Sequence, residues 1–186
     1  MSKVEVFISV DIEASGPIPG EYSMLSLGAC LVDAPQRTFS VALAPISTNF
    51  EPEALAVTGL SLEELTLRGT PAEKAMADFA TWVRSVCDEA ESIPVFVGLN
   101  APFDWSFVNY YFHRFTGSNP FGFSALDIKA YFMGATGCHW QDTKSSAIAN
   151  LVRATLAGNH DALHDALYQA ELFRLLRSNV VSTGVN

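Results

Sequence analysis

Residues 4–17 read VEVFISVDIEASGP, and this stretch decides the fold. Val4, Val6, Phe7, Ile8 and Val10 make an apolar, β-rich run that ends on two carboxylates, Asp11 and Glu13, before Gly16 and Pro17 break it. Alternation along a strand sends Asp11 and Glu13 to the same side. Two like charges at one edge repel by about 4 kcal/mol at ~4 Å in an effective dielectric near ~20. Either both acids cap a turn and point into water, or they hold a hard cation, since Mg²⁺ and Mn²⁺ take carboxylate oxygens. Further acids elsewhere in the chain would favour the second reading.

Size and composition narrow the class. With 186 residues and 49% hydrophobic content the chain fits one domain with a sizeable core. There is no charged leader followed by a long apolar stretch, and no run approaches the ~20 residues that cross a bilayer, so a soluble, cytoplasmic protein without membrane contact is expected. Cys30, Cys87 and Cys138 are widely spaced and form no CxxC pair, which reads as free thiols. The net charge of −9 disfavours a grip on long duplexes. Residues 51–91 hold nine of the twenty acids and three of the eleven basic residues, so the charge is concentrated there, and a short single-stranded end or a small nucleotide remains admissible.

Outward from the opening strand, residues 23–32 read as a second buried strand and residues 36–44 as an alternating third, joined by a turn at Asp33-Ala34-Pro35. Short connections make the three an antiparallel meander. Residues 53–57 form a short helix closed by Gly59, and Ser61 with Glu64 makes a capping box for another. Thr70-Pro71 opens a longer helix with Ala75, Met76, Phe79, Trp82, Val83 and Val86 on one face. Residues 94–99 (PVFVGL) have the continuous apolar character of a strand buried on both sides. In residues 101–115 an aromatic stripe of Phe103, Phe107, Tyr110 and Tyr111 has helical spacing and reads as core, leaving Trp105 off the stripe as the stacking candidate. Residues 123–128 read as an edge strand, 129–133 as a helical turn, 134–143 as an irregular mobile loop and 145–156 as a helix. Asn159 is expected to cap a last helix running to about Arg177, with a flexible tail at 179–186. The sum is an α/β domain with a mixed sheet covered on both faces.

More acids do appear. Asp104 follows the buried strand directly, at the start of a helix, where open α/β sheets place ligands and where Asp also serves as a plain cap. The last helix opens with HDALHDAL, in which Asp165 is flanked by Ala162 and Ala166; an acid on a tightly packed face needs a partner. His160 and His164 have the i, i+4 spacing of zinc ligands but lack an HExxH pattern, and His164 with Asp161 reads as solvated surface.

Together Asp11-x-Glu13, Asn100-Ala-Pro-Phe-Asp104 and His160-x4-Asp165 resemble the three motifs of the DnaQ-like, DEDDh-type 3′–5′ exonucleases, whose fold is ribonuclease-H-like. The order and spacing match from Phe7 to about Phe173, and Val57-Thr58-Gly59-Leu60 resembles the family's connecting region. The resemblance implies a single exonuclease domain over residues 1–178. Asp11, Glu13, Asp104 and Asp165 would hold two Mg²⁺ or Mn²⁺ ions, and His160 would be the general base. It implies further that Ala14 and Ser15 meet the terminal nucleotide, with Asn100, Phe103 and Trp105 as additional substrate contacts. Single-stranded or short DNA or RNA 3′ ends would be the partners and nucleoside 5′-monophosphates the products; a homodimer is allowed. Where the family often carries threonines, this chain has Ala14-Ser15. A small-nucleotide or dinucleotide phosphohydrolase, or a catalytically silent module on the same fold, are the competing functions.

Overall fold

A computed structural model describes residues 3–87 and 91–182, with side chains described up to residue 179. Five strands form one sheet in the order β3-β2-β1-β4-β5. β1 (Val4–Ala14) lies at its centre, antiparallel to β2 (Met24–Leu31), which is in turn antiparallel to β3 (Thr38–Ala42). On its other side β1 runs parallel to β4 (Ser92–Gly98), and β4 runs parallel to β5 (Ala125–Asp127). The meander and the mixed sheet are as the sequence leads one to expect.

Alternation in β1 sorts the two faces. Ile8, Val10 and Ile12 are buried against α3 (Ala72–Val86) and α4 (Pro102–Phe115), in a core that includes Met76, Phe79, Phe107 and Phe112. On the opposite face lie α5 (Ile128–Thr136), α6 (Ser145–Val152) and α7 (Ala162–Ser182), whose core joins Val97, Ile148, Leu172 and Phe173 with Phe7 packed against it. Phe7, Ser9, Asp11 and Glu13 alternate with the first set, so both carboxylates face the α7 side.

Gly28 brings α7 that close. It pairs with Asp11 across the β1–β2 ladder, and a Cβ placed on it would lie 2.3 Å from the backbone of Ala162 and Leu163. Bare backbone at this point lets the start of α7 settle onto the sheet directly opposite Asp11. At the strand's end the β1–β2 register shifts between Glu13 and Ala14, a local irregularity of the kind that re-aims side chains at sheet ends.

Three smaller elements complete the chain order. α1 (Pro52–Thr58) ends on Gly59, which takes the left-handed conformation at φ 68° and donates its N–H to the Leu55 carbonyl. α2 (Leu62–Arg68) is capped by Ser61, whose hydroxyl accepts from the Glu64 N–H, fulfilling that half of the expected capping box. The loop expected over 134–143 is shorter than the sequence suggests, because α5 continues to Thr136 and a 3₁₀ turn occupies Trp140–Asp142.

Three helix expectations are corrected. α7 is capped by Asp161, whose Oδ1 accepts from His164 N at 2.9 Å; Asn159 instead accepts from Asp161 N, two residues ahead of the cap. Nothing in Ser178-Asn179-Val180 breaks the helix, so α7 passes Arg177 and runs to Ser182, while residues 183–186 of the expected tail lie outside the described residues. In α4 the inward face is phased on Asp104, Phe107, Val108, Tyr111 and Phe112 rather than on a stripe starting at Phe103. Among the described residues no helix is long and apolar enough to cross a membrane.

Candidate active site

Because β1 and β4 run parallel, their carboxyl ends meet at one edge of the sheet. Open α/β sheets bind ligands at this edge. Asp11 and Glu13 arrive there on β1. Asn100 turns the chain out of β4 with φ 65°, a left-handed conformation that Asn tolerates better than most residues, and Pro102 then starts α4. The turn delivers Asp104, 4% exposed, to the ends of the strands. Its Oδ1 accepts from the Ile12 N–H at 3.1 Å, so it is tied across to β1 rather than serving as a simple helix cap.

Asp165 comes from the first turns of α7 on the sheet's other face. Its two oxygens accept from Asn159 N at 2.8 Å and His160 N at 3.1 Å. These bonds fix the segment entering the helix, where His160 is held at φ 62° with its ring exposed. Glu13, His160 and Asp165 each present a ligand atom, and the three atoms lie within 4.8 Å of one another. His164 Nδ1 makes a long 3.5 Å contact to Asp165 Oδ1 but does not line the cleft or join this group, so it is His160 that stands with both Glu13 and Asp165.

These groups line a cleft of about 690 Å³ together with Asn100, Phe103 and Gln169. No Lys or Arg lines it among the described residues. Burial raises Asp11 well above the carboxylate range, and Asp104, Glu13 and Asp165 push it further in the same direction. Burial likewise pushes Glu13 up to about 7, reinforced by Asp165 and Asp161. Asp104 is pushed up to about 8 by burial, against the Ile12 N–H that favours its charge, with Glu13 and Asp127 adding to the rise. Four carboxylates crowded on one edge without a cationic side chain form an oxygen donor set suited to a hard divalent cation, and a poor one for a soft metal. The chemistry of the donor set therefore fits Mg²⁺ or Mn²⁺.

The remaining expected substrate residues divide. Asn100 and Phe103 line the cleft, and the Phe103 ring is 37% exposed. Trp105 turns the other way and packs edge-on against Phe96 at 5.2 Å between centroids. Ala14 and Ser15 are buried and do not line the cleft. Ser15 is a structural knot: its N–H donates to Ser23 O, its carbonyl accepts from Glu51 N, and its hydroxyl donates to Asn49 O while accepting from Ser23 N. Two residues that sequence reasoning passed over also matter here. Gln169 donates its Nε2–H to Asp11 Oδ1. Glu171 accepts from Thr155 N, Thr155 Oγ1 and Leu156 N, holding the segment that leads to His160. Both lie on α7 within two turns of Asp165, and Gln169 has the i+4 spacing that signals a shared helix face.

The chain as a whole is similar to known proteins. Residues 8–173 match the sequence profile of the family described as Exonuclease. The chain is 56% identical over 172 residues to a protein of Escherichia coli named 3′-5′ DNA exonuclease Cap18, an alignment covering 92% of this chain and 91% of that one. Its fold is similar to the nuclease domain of 3′hExo, a DEDDh family member, bound to rAMP, with a TM-score of 0.77, 13% identity, and coverage of 94% and 92% of the two chains. It is also similar to Exonuclease I of E. coli in complex with a dT13 oligonucleotide, with a TM-score of 0.74, 15% identity, and coverage of 97% of this chain and 42% of that one.

Proposed function

The chain belongs to the Exonuclease family, and from that premise we propose that it removes nucleotides from the 3′ end of single-stranded DNA as nucleoside 5′-monophosphates. The observation that carries this reading is the convergence of Asp11, Glu13, Asp104 and Asp165 on one cleft with the exposed ring of His160 beside Glu13 and Asp165. The choice of DNA rests on the name of the 56%-identical relative, and that of a single-stranded end on the net charge of −9.

Asp11, Glu13, Asp104 and Asp165 would hold two divalent ions, Mg²⁺ or Mn²⁺. Such a pair supplies charge stabilisation at the attacking and leaving oxygens of an in-line phosphodiester displacement. The residues of the chain do the rest. An imidazole nitrogen of His160 takes the proton from the attacking water, a role open to a ring that is exposed and lines the cleft. Water adds to the terminal phosphorus, the bond to the 3′ oxygen of the preceding nucleotide breaks, and that oxygen leaves with a proton from solvent. The backbone N–H bonds from Asn159 and His160 to Asp165 hold the base and the acid in fixed relation. Phe103 offers its exposed ring to a base near the cut, and Asn100 shapes the cleft wall.

The test is hydrolysis of 5′-labelled single-stranded DNA and RNA with Mg²⁺, Mn²⁺ or EDTA, comparing wild type with His160→Ala and Asp104→Asn. The expected result is a metal-dependent ladder shortening from the 3′ end on DNA, reduced by about 10²–10⁴-fold in His160→Ala. A dinucleotide serves as the control substrate. Turnover of the dinucleotide alone would replace the exonuclease reading with a small-nucleotide hydrolase, and no turnover of any substrate would leave a silent module.

A further inference from the structure

The three acids with hydrogen-bond partners in the cleft are held in different ways. Backbone N–H groups hold two of them: Ile12 N serves Asp104, and Asn159 N with His160 N serves Asp165. Asp11 is held instead by a side chain, Gln169. Gln169 is 3% exposed, and its Oε1 accepts from Leu99 N at 2.9 Å. A backbone N–H can only donate, so this bond fixes which end of the amide is oxygen and obliges the Nε2 group to face Asp11. One side chain on α7 thus spans the end of β1 and the connection from β4 into α4, which carries Asp104.

We propose that Gln169 is the positioning residue that fixes Asp11 for metal binding and sets its distance from the Asp104 connection, an inference that rests on the metal-site reading above. Asp11 is repelled by the neighbouring carboxylates and attracted by the Gln169 donor. Without that donor the carboxylate would swing away from its neighbours and lose the orientation a divalent ion requires. Groups that orient metal ligands typically cost 10–100-fold in metal affinity or activity when removed.

Two variants and one direct binding measurement test this. Gln169→Glu keeps the size of the side chain and the acceptor for Leu99 N, but sets a carboxylate against Asp11. Gln169→Met keeps the approximate length and removes both polar groups. Mn²⁺ binding to wild type and both variants is measured by titration calorimetry without substrate, alongside thermal melting in EDTA and rates over a range of Mn²⁺ concentrations. The expected result is Mn²⁺ affinity weakened by about 10–100-fold in both variants. In parallel the Mn²⁺ midpoint for activity should rise, with much of kcat recovered at saturating metal and KM for DNA little changed. A variant that melts early in EDTA yet binds Mn²⁺ within about twofold of wild type would make Gln169 a structural residue and overturn the proposal. If Gln169→Met does not fold, Gln169→Glu decides by the same criterion. Failure of the underlying reading is distinguishable, because wild type itself would then bind no Mn²⁺.

Discussion

Removing one charge from the acid cluster is expected to stabilise the metal-free protein. Asp104 rises from 3.8 to about 8 on folding, through burial first, so its contribution to stability is full below the ordinary carboxylate value and is lost as pH rises through about 8. At pH 7 the unfolded chain carries the ionised form while the folded chain still holds the proton. Three units of that window at about 1.4 kcal/mol each amount to about 4 kcal/mol of lost stability. Between about pH 5 and about pH 7.5 the share is about 3 kcal/mol, equivalent to a fall of ~6–12 °C in Tm for a chain of this size. Asp104→Asn keeps the oxygen that accepts from Ile12 N and abolishes the titration. Melting of both proteins in EDTA at the two pH values measures the effect, and the difference between them cancels the titrating groups remote from Asp104. Wild type should fall in Tm relative to the variant on going to the higher pH, and the variant should melt above wild type there. Mn²⁺ should raise the wild-type Tm more at the higher pH and raise the variant's less. A variant that melts below wild type at the higher pH, or a wild-type Tm that climbs with pH relative to the variant, would refute the argument that Asp104 is a desolvated, crowded carboxylate.

Glu171→Gln should cost about 1–2 kcal/mol, because the Thr155 and Leu156 donors lose a charged acceptor, and it should lower kcat more than KM as the His160 segment loosens. Melting curves with hydrogen exchange across residues 155–160 check this. Phe103→Ala should raise KM for single-stranded DNA by an amount matching the ~1–3 kcal/mol of a stacked base, with Tm nearly unchanged. Trp105→Ala should do the reverse, lowering Tm by opening a void beside Phe96; paired melting and kinetic assays separate the two. Ser15→Ala, which strands the Ser23 N–H and the Asn49 carbonyl, should lower stability by about 1–3 kcal/mol in denaturant titrations while KM stays put.

The candidate site is legible where one residue type ends a pattern of another. Asp11 and Glu13 close an apolar run, Asp104 follows a buried strand, and Asp165 sits among alanines, so each stands out against its surroundings. His160 was found by its spacing to Asp165, and the structure supplies a physical reason for that spacing: the carboxylate reaches back to the backbone N–H groups ahead of the helix. What stayed hidden depends on direction. Phe103 and Trp105 exchanged places because aromatic spacing does not fix the phase of a helix, and α4 is phased by Asp104. Asn159 and Asp161 are both good caps, and only the geometry selects Asp161. Gln169 and Glu171 look like ordinary polar positions in a helix, because their partners lie 158 and 16 residues away. Ser15 sits beside Glu13 in sequence, but the β1–β2 irregularity turns it into the body of the protein.

Gly28 has a bearing on how relatives of this chain are read. It carries no chemistry, does not line the cleft, and has no left-handed backbone to betray it, yet a single methyl group there would meet the backbone at the start of α7. A gene that preserves the four acids and the histidine intact, but encodes a larger residue at this position, would be counted as an active nuclease in any census by motif. Its product would hold the reagents of the reaction on two elements that no longer meet.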